Sequence, residues 1–195
     1  MLARLMPNIG GPRQDRRKLL VSVVISVLTY SIAIWGNVLK IEEYQRKVAA
    51  IHRLSALRVA CAFRTVSDNV ACVIAGMILI KVIAIKRKQL YEQRSTNPED
   101  KKELKRITRQ DSLQRWQEKW NTSVKGRWTH RLIPKVESWI NRKHGEVNYY
   151  LTQMLSNHGC YKAFHRFKYE DMPDCPAKCG MSEMQNTHFF SAHVL

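Results

Sequence analysis

Acidic residues are scarce in this sequence. Its 195 residues include 33 lysines and arginines but only 16 aspartates and glutamates, which gives a formal net charge of +17 at pH 7. A charge this large for the length favours a polyanionic partner, either nucleic acid or an anionic membrane surface. The excess is concentrated in residues 81–143, with 18 basic residues against 7 acidic ones, whereas residues 144–195 are nearly neutral. The middle of the chain is therefore the candidate surface for a polyanion.

Recognisable catalytic motifs are missing as well. The sequence has no glycine-rich phosphate loop, and its 7 histidines are dispersed, without the neighbours that mark a Ser/His/Asp or Cys/His catalytic set. Its 5 cysteines are odd in number and scattered, which does not suit a disulfide framework. These features argue against an independent enzyme. They indicate an intracellular protein, in the nucleus or the cytoplasm.

Apolar runs of full membrane-spanning length are also lacking. The run from Leu19 to Trp35 covers 17 residues without a charge, just below the usual length of a span, and the run from Val70 to Ile85 is interrupted by Lys81. Two interpretations remain open: a small basic membrane-anchored protein with spans near 19–35 and 70–85, or two core helices of one helical domain. The charge inside the second run favours the helical domain, with a buried helix at 19–35 and no membrane partner.

Helical periodicity dominates the part of the chain that follows an irregular N-terminus at residues 1–14. Apolar residues spaced by three and four predict an amphipathic helix that packs on the apolar helix before it. Its stripe consists of Ile41, Tyr44, Val48, Ile51, Leu54, Leu57 and Cys61. His52 lies beside the stripe, and we expect it to be structural rather than a ligand. Thr65 or Ser67 is expected to cap the next helix, and Gly76 to end it.

A long basic helix is predicted to start at Pro98, after a cap at Thr96 or Asn97, and to run to about Trp120. Cations in and around it are the candidate contacts to nucleic-acid phosphates. These candidates are Lys86, Arg87, Lys88, Lys101, Lys102, Lys105, Arg106, Arg109, Arg115, Lys125, Arg127 and Arg131. Trp116, Trp120, Trp128 and Trp139 lie among them, either to stack on bases or to anchor a helical core; we favour the core.

The last residues carry the only metal-ligand pattern in the sequence. Cys175, Cys179, His188 and His193 form a C-x3-C-x8-H-x4-H arrangement, whose thiol and imidazole donors suit tetrahedral zinc. Pro176 lies between the two cysteines and favours the tight turn that such a pair needs. The pattern predicts a structural zinc knuckle. The alternative is a frayed C-terminus with free cysteines and solvated histidines.

Four segments resemble the C-terminal part of a non-long-terminal-repeat (LINE-type) retrotransposon reverse transcriptase, of the clade that inserts into ribosomal RNA genes. They are LLVSVVISVLTYSIAIW at 19–35, RLSALRVACAFRTVSDNVACVIAGM at 53–77, SLQRWQEKWNTSVKGRWTHRLIPKVESWINRKHGEVNYYLTQMLSNHGCY at 112–161, and the terminal Cys/Cys/His/His set. The resemblance covers most of residues 13 to 193, and the segment at 112–161 is the most specific.

The resemblance implies an all-α fold with three parts. A helical region at 15–95 would end the palm and form a thumb-like bundle, residues 96–145 would form a basic helical connector, and residues 146–195 would form a tail with the zinc knuckle. The implied partners are the RNA and DNA of a template–primer and a polymerase domain encoded upstream in the same element. The implied function is to grip nucleic acid for that domain.

The catalytic carboxylates of the family are absent from this chain. Its polymerase motif is an aromatic-x-Asp-Asp turn that holds two metal ions, whereas this sequence contains no Asp-Asp pair. Magnesium would therefore belong only to the upstream domain, and we expect the chain alone to be inactive. Smaller departures are Ser31 in place of a usual glycine, Leu79 in place of a usual proline, a wider cysteine pair and His193 in place of a cysteine. Together they suggest a fragmentary or decaying copy of the element.

Overall fold

The computed structural model describes residues 2–30, 32–37, 41–93, 98–142 and 145–158. All regular structure in these ranges is helical, which confirms the predicted all-α class. The helices are α1 (Leu2–Leu5), α2 (Gln14–Leu28), α3 (Ile32–Trp35), α4 (Glu42–Ala60), α5 (Asp68–Ala75), α6 (Ile80–Glu92), α7 (Pro98–Asn121), α8 (Arg127–Leu132), α9 (Val136–Ile140) and α10 (Tyr149–Ser156).

Helix α5 forms the centre of the core. Its residues from Val70 to Ala75 are all at most 3% exposed, as expected for a helix that is apolar on every side. Gly76 ends it in the left-handed conformation at φ +67°, and the amide of Met77 donates to the carbonyl of Cys72 at 2.9 Å. This C-terminal cap confirms the prediction that Gly76 ends the helix.

Helix α4 packs on α5 with a different face from the predicted one. Ala56, Val59 and Ala60 are fully buried and His52 is only 3% exposed, whereas Ile51 and Leu54 of the predicted stripe are almost half exposed. The two alanines leave no bulky side chain between the helix backbones, so α4 and α5 can approach closely. The predicted helix is confirmed, but its predicted core stripe is wrong at Ile41, Tyr44, Ile51 and Leu54. His52 is structural, as predicted.

The segment 19–35 is not one buried helix. Helix α2 ends at Leu28, where the Thr29 hydroxyl donates to the Ile25 carbonyl at 2.6 Å, and a separate turn of helix follows from Ile32. Leu19, Val23 and Val27 are each more than 60% exposed. The buried side of α2 instead carries Gln14, Arg17 and Val21. The expectation of a single buried helix therefore fails in both its length and its orientation.

Arg17 ties the N-terminal segment to the core through backbone carbonyls, with no acidic partner inside the described residues. This guanidinium is 2% exposed and donates to four backbone carbonyls, those of Pro12 at 2.7 Å, Arg58 at 3.0 Å, Met6 at 3.4 Å and Pro7. Carbonyl oxygens satisfy the buried N–H groups in place of a carboxylate. The loop before α2 is thereby fixed on the end of α4.

None of the described helices alone combines the length and hydropathy of a membrane span. Helices α5 and α6 meet that criterion only as a pair, which is bent by 65° at residues 76–79.

Helix α7 attaches to the core through two tryptophans. Trp116 and Trp120 are each 1% exposed, and the indole N–H of Trp120 donates to the carbonyl of Ile133 at 2.8 Å. Trp128 and Trp139 are partly buried, and their indole N–H groups donate to the carbonyls of Met154 at 2.9 Å and Ile74 at 3.4 Å. Trp116 and Trp120 are core anchors, as the favoured interpretation predicted, whereas Trp128 and Trp139 keep part of their surface exposed and are held by backbone hydrogen bonds.

Where α7 faces α6, its buried side consists of small polar residues. Thr108 and Ser112 are buried, and their hydroxyls donate to the carbonyls of Leu104 at 2.8 Å and Thr108 at 2.6 Å, one helical turn back. Such internal hydrogen bonds satisfy buried hydroxyls without a partner on the neighbouring helix. Helix α7 also begins at Pro98, as predicted. The proposed domain boundaries stay predictions.

Gly126 offers a direct test of how the loop after α7 packs on α5. It has φ +82°, and a Cβ there would overlap the Cγ2 atom of Val70, while Gly145 has φ +83° with no atom within 4 Å of its virtual Cβ. Gly145→Ala therefore reports backbone strain alone, about 1 kcal/mol. Gly126→Ala should lower the free energy of unfolding by roughly 2–4 kcal/mol, because a steric overlap is added to that strain. Urea denaturation of both variants measures this; equal losses would contradict the packing.

Candidate nucleic-acid interface

The exposed surface of α7 carries the predicted cations Lys101, Lys102, Lys105, Arg106, Arg109 and Arg115. Three of them pair with acids of the same helix: Lys102 with Glu99 at 3.3 Å, Arg106 with Glu103 at 2.6 Å, and Arg115 with Asp111 at 2.9 Å. The first two pairs are well exposed on both partners. Exposed pairs of this kind contribute little to stability, so a phosphate can replace the carboxylate at small cost.

Lys101, Lys105 and Arg109 form a line along α7 without ion pairs inside the described part of the chain. They are four residues apart, so they lie close to one face of the helix. Lys86 of α6, which packs on α7, lies near the Arg109 end of this line, where burial and then the charge of Arg109 lower its pKa. We call Lys86, Lys101, Lys105 and Arg109 the α6–α7 line. It is the part of the predicted set that the fold brings together with unneutralised charge.

Other predicted cations on α6 are engaged with the fold. Arg87 donates to the carbonyl of Thr29 at 2.9 Å, which holds the break between α2 and α3 against α6. Lys88 lies 3.3 Å from the side-chain oxygen of Asn37 and 3.6 Å from Glu92. Both side chains are therefore held by contacts with residues 29 and 37, and neither is counted in the α6–α7 line.

The remaining predicted cations, Lys125, Arg127 and Arg131, lie past the other end of α7. Arg127 donates to the carbonyl of Asn121 at 3.1 Å, and the guanidinium of Arg131 lies 5.5 Å from the ring centre of Trp128. The 24 residues of α7 span about 36 Å, so these cations are far from Lys101. The predicted set is therefore divided between the two ends of the helix.

Lys135 joins the interface although it was not predicted. A groove of about 730 Å³ runs along α7 and is lined by Arg106, Arg109 and Lys135, with Glu118 and Glu137 also present. Gln117 fixes the loop that carries Lys135, because its side chain donates to the Pro134 carbonyl and accepts from the Val136 amide, each at 2.8 Å. Together with the bond from the Trp120 indole to the Ile133 carbonyl, this tertiary contact places Lys135 beside α7. The sequence signal was limited to its position inside the basic region.

Cys175, Cys179, His188 and His193 lie outside the described residues, so the predicted zinc knuckle stays a prediction. Within the described ranges no three His, Cys, Asp or Glu side chains converge as metal ligands. Cys72 and His52 form a buried pair, with 3.8 Å between Sγ and Nδ1. Burial raises the pKa of Cys72 to about 12 and lowers the pKa of His52, so both stay neutral near pH 7. This pair is a structural contact rather than an activated nucleophile.

Comparison with known proteins shows that the chain is similar to a polyprotein of a mobile element. It is similar to the retrovirus-related Pol polyprotein from type-1 retrotransposable element R1 2 of Nasonia vitripennis, with 28% identity over 195 aligned positions. The match covers 92% of this chain and 47% of the relative, so the chain spans about half the length of the curated relative it matches. No family model matches the chain, and no solved structure does. The similarity agrees with the retrotransposon resemblance noted in the sequence.

Burial of His52 predicts a pH-dependent stability. Its pKa in the folded chain lies below the ordinary value of about 6.5, so below that pH the unfolded chain binds a proton that the folded chain does not. Stability should therefore fall as the pH drops from 7 to 5, by at most about 1.4 kcal/mol per pH unit from this group. His52→Gln should flatten the dependence of the urea midpoint on pH, and His130→Gln, at a partly exposed histidine, should flatten it less. An unchanged slope in His52→Gln would contradict the assignment.

Proposed function

We propose that this chain is the part of a retrotransposon RNA-directed DNA polymerase that grips nucleic acid. The observation that carries the proposal is the α6–α7 line: cations without ion pairs among the described residues, exposed on the N-terminal half of a helix whose C-terminal half is anchored in the core by Trp116 and Trp120. A rigid line of cations suits a regularly spaced row of phosphates. Similarity to a retrotransposon Pol polyprotein supports nucleic acid as the polyanion.

Phosphates, rather than bases, are the proposed point of contact. Since Trp116 and Trp120 are buried, they offer no face for stacking, and lysine and arginine contacts to phosphates carry no sequence information. The partner is the template–primer, RNA paired with DNA. In this proposal α4, α5 and α6 form the thumb-like bundle, α7 begins the connector, and the catalytic aspartates and their magnesium ions belong to a polymerase domain encoded upstream. The chain alone then binds but does not polymerise.

Charge removal along the α6–α7 line tests the proposal. The triple variant Lys101→Gln, Lys105→Gln, Arg109→Gln should bind a 20-base-pair RNA–DNA hybrid at least tenfold more weakly than the unaltered chain, because up to three phosphate contacts are lost. Fluorescence anisotropy at fixed moderate salt measures the affinity.

The matched control removes the same charge elsewhere. Arg4, Arg16 and Lys47 are exposed on α1, α2 and α4, and the triple glutamine variant at these positions should bind within about threefold of the unaltered chain. Equal losses in the two triple variants would show that only net charge matters and would contradict an interface on α7.

We also propose a structural zinc ion held by Cys175, Cys179, His188 and His193. Support comes from the donor types and their paired spacing. Cobalt added to the whole reduced chain should give the visible bands of tetrahedral thiolate coordination, and zinc should abolish them. Cys179→Ala should lose the bands, whereas Cys160→Ala, a nearby cysteine outside the set, should keep them. Absence of bands in the unaltered chain would refute the knuckle.

A further inference from the structure

A second basic cleft lies between α4, the start of α5 and the loop that follows α7. It has a volume of about 820 Å³, and its lining includes Arg46, Arg53, Ser67, Asn69, Lys119 and Lys125. A deeper cavity of about 210 Å³ shares several of these residues and adds His52 and Lys81. Apart from Lys125, the sequence did not mark these cations as a site, because three separate elements bring them together.

Arg53 is paired with an acid and a backbone carbonyl of the fold, whereas the other cations of the cleft are largely unpaired. Its Nε lies 2.8 Å from the carboxylate of Asp68, and its Nη2 donates to the carbonyl of Val66 at 2.8 Å. Arg46 has only Glu42 at 3.8 Å, and both of those side chains are more than 70% exposed. Lys119, Lys125 and Lys81 make no ion pair within the described part of the chain. The cleft therefore holds an excess of positive charge.

Lys81 and Lys119 are close enough to repel each other. The pKa of Lys119 is lowered first by burial and then by the charge of Lys81, and Asp68 only partly opposes this. Two like charges held in a partly enclosed site are unfavourable for the folded chain. A bound anion would offset this repulsion. The arrangement therefore costs the folded chain stability when the cleft is empty and favours the binding of an anion.

One hydrogen-bonding group that lines the cleft, the Ser67 hydroxyl, lacks a partner among the described residues. Ser67 has the extended backbone of a helix N-cap, but its hydroxyl makes no capping bond and is buried without a partner. In the deeper cavity His52 is only 3% exposed and lies against Cys72 and the backbone of Ile78, so it belongs to the fold. Buried polar groups are almost always satisfied in folded proteins. The Ser67 hydroxyl is an exception that lines the cleft, and a polar ligand bound there would satisfy it.

The wall that carries Lys125 is held in place. The side-chain amide of Asn69 donates to the Ser123 hydroxyl at 3.0 Å, and that hydroxyl donates to the Lys125 carbonyl at 2.9 Å. Gly126 packs directly on Val70 at the next position. The cleft is therefore formed before a ligand arrives, which lowers the entropic cost of binding.

We propose that this cleft binds a phosphate group of a nucleic-acid strand, with Arg46, Lys119 and Lys125 contacting its oxygens and Ser67 donating a neutral hydrogen bond. The inference rests on the proposed function and adds a second contact to it. Lys119 is 18 residues after Lys101, five full turns of α7, so the two lie on one side of the helix about 27 Å apart. That distance equals roughly eight phosphate steps of 3.4 Å, so one strand can reach both.

The first test removes two cleft cations. Arg46→Gln, Lys119→Gln should bind a 20-base-pair RNA–DNA hybrid about tenfold more weakly, while the control Arg4→Gln, Arg16→Gln, with the same net charge, should change affinity by less than about twofold. Urea denaturation checks folding, and Lys119→Gln alone should not destabilise the chain, because it relieves the repulsion from Lys81. If the cleft variant binds like its control, the inference is overturned.

Acetylation footprinting separates the two proposals. With hybrid bound, Lys119 and Lys125 should be protected from acetylation about fivefold relative to Lys47, which pairs with Glu43 outside the cleft. Protection of Lys101 and Lys105 without Lys119 and Lys125 would overturn the cleft and leave the proposed function standing. No binding at all would overturn both.

Two kinds of phosphate could fill the cleft, and the same footprint distinguishes them. Hybrids without a terminal phosphate should protect Lys119 as well as 5′-phosphorylated ones do if an internal phosphodiester is bound. Protection by the 5′-phosphorylated hybrid only would assign the cleft to a strand end. Protection by neither would refute a phosphate site.

Discussion

The complete burial of α5 is the constraint on which the rest of the structure depends. A helix that is apolar on every side must be covered by other elements on every side, and each neighbouring element covers α5 with a different kind of contact. Helix α4 contributes small side chains, the loop after α7 contributes Gly126, and α9 contributes Trp139 through a hydrogen bond to the Ile74 carbonyl. Truncating either fully buried tryptophan of α7 would cost about 3–5 kcal/mol, a large share of the stability of a small domain.

This constraint also fixes where the positive charge lies. Trp116 and Trp120 hold the C-terminal half of α7 in the core, and Thr108 and Ser112 let α6 pack close beside it, so the exposed lysines and arginines of α7 are carried on a fixed helix. The fold thus converts a charge-rich sequence into a line on one side of a helix, with a basic cleft at the end opposite to Lys101. The three intrahelical ion pairs reduce the charge of α7 without removing it.

Much of the helical framework could be predicted from the sequence because its signals are local. Backbone geometry sets the helix boundaries at Pro98, where α7 starts, and at Gly76, after α5. Side-chain size makes the tryptophans of α7 its core anchors. The buried face of α4 could not be predicted, since larger apolar residues outweigh Ala56 and Ala60 in any hydrophobic pattern. It is nevertheless the alanines that permit the closest packing of the helices. The break at Thr29 likewise depends on contacts with a distant helix, through Arg87.

The candidate site was predictable in composition but not in arrangement. The basic region of residues 81–143 was evident from charge, whereas the separation of its cations into paired and unpaired groups depends on side-chain geometry. Lys135 and Arg46 reach their positions through tertiary contacts far from them in sequence. No sequence pattern reports that Arg53 is neutralised by Asp68 while Lys119 has no matching acid.

Central to the proposed function is a preformed cationic surface that binds nucleic acid through its phosphates. The most direct measurement is the affinity of the whole chain for an RNA–DNA hybrid as a function of salt concentration. Four contacts from the α6–α7 line predict that the logarithm of the association constant falls with the logarithm of salt concentration with a slope of roughly −3 to −4, similar for hybrids of different sequence. A slope near zero, or binding to one sequence only, would contradict the account.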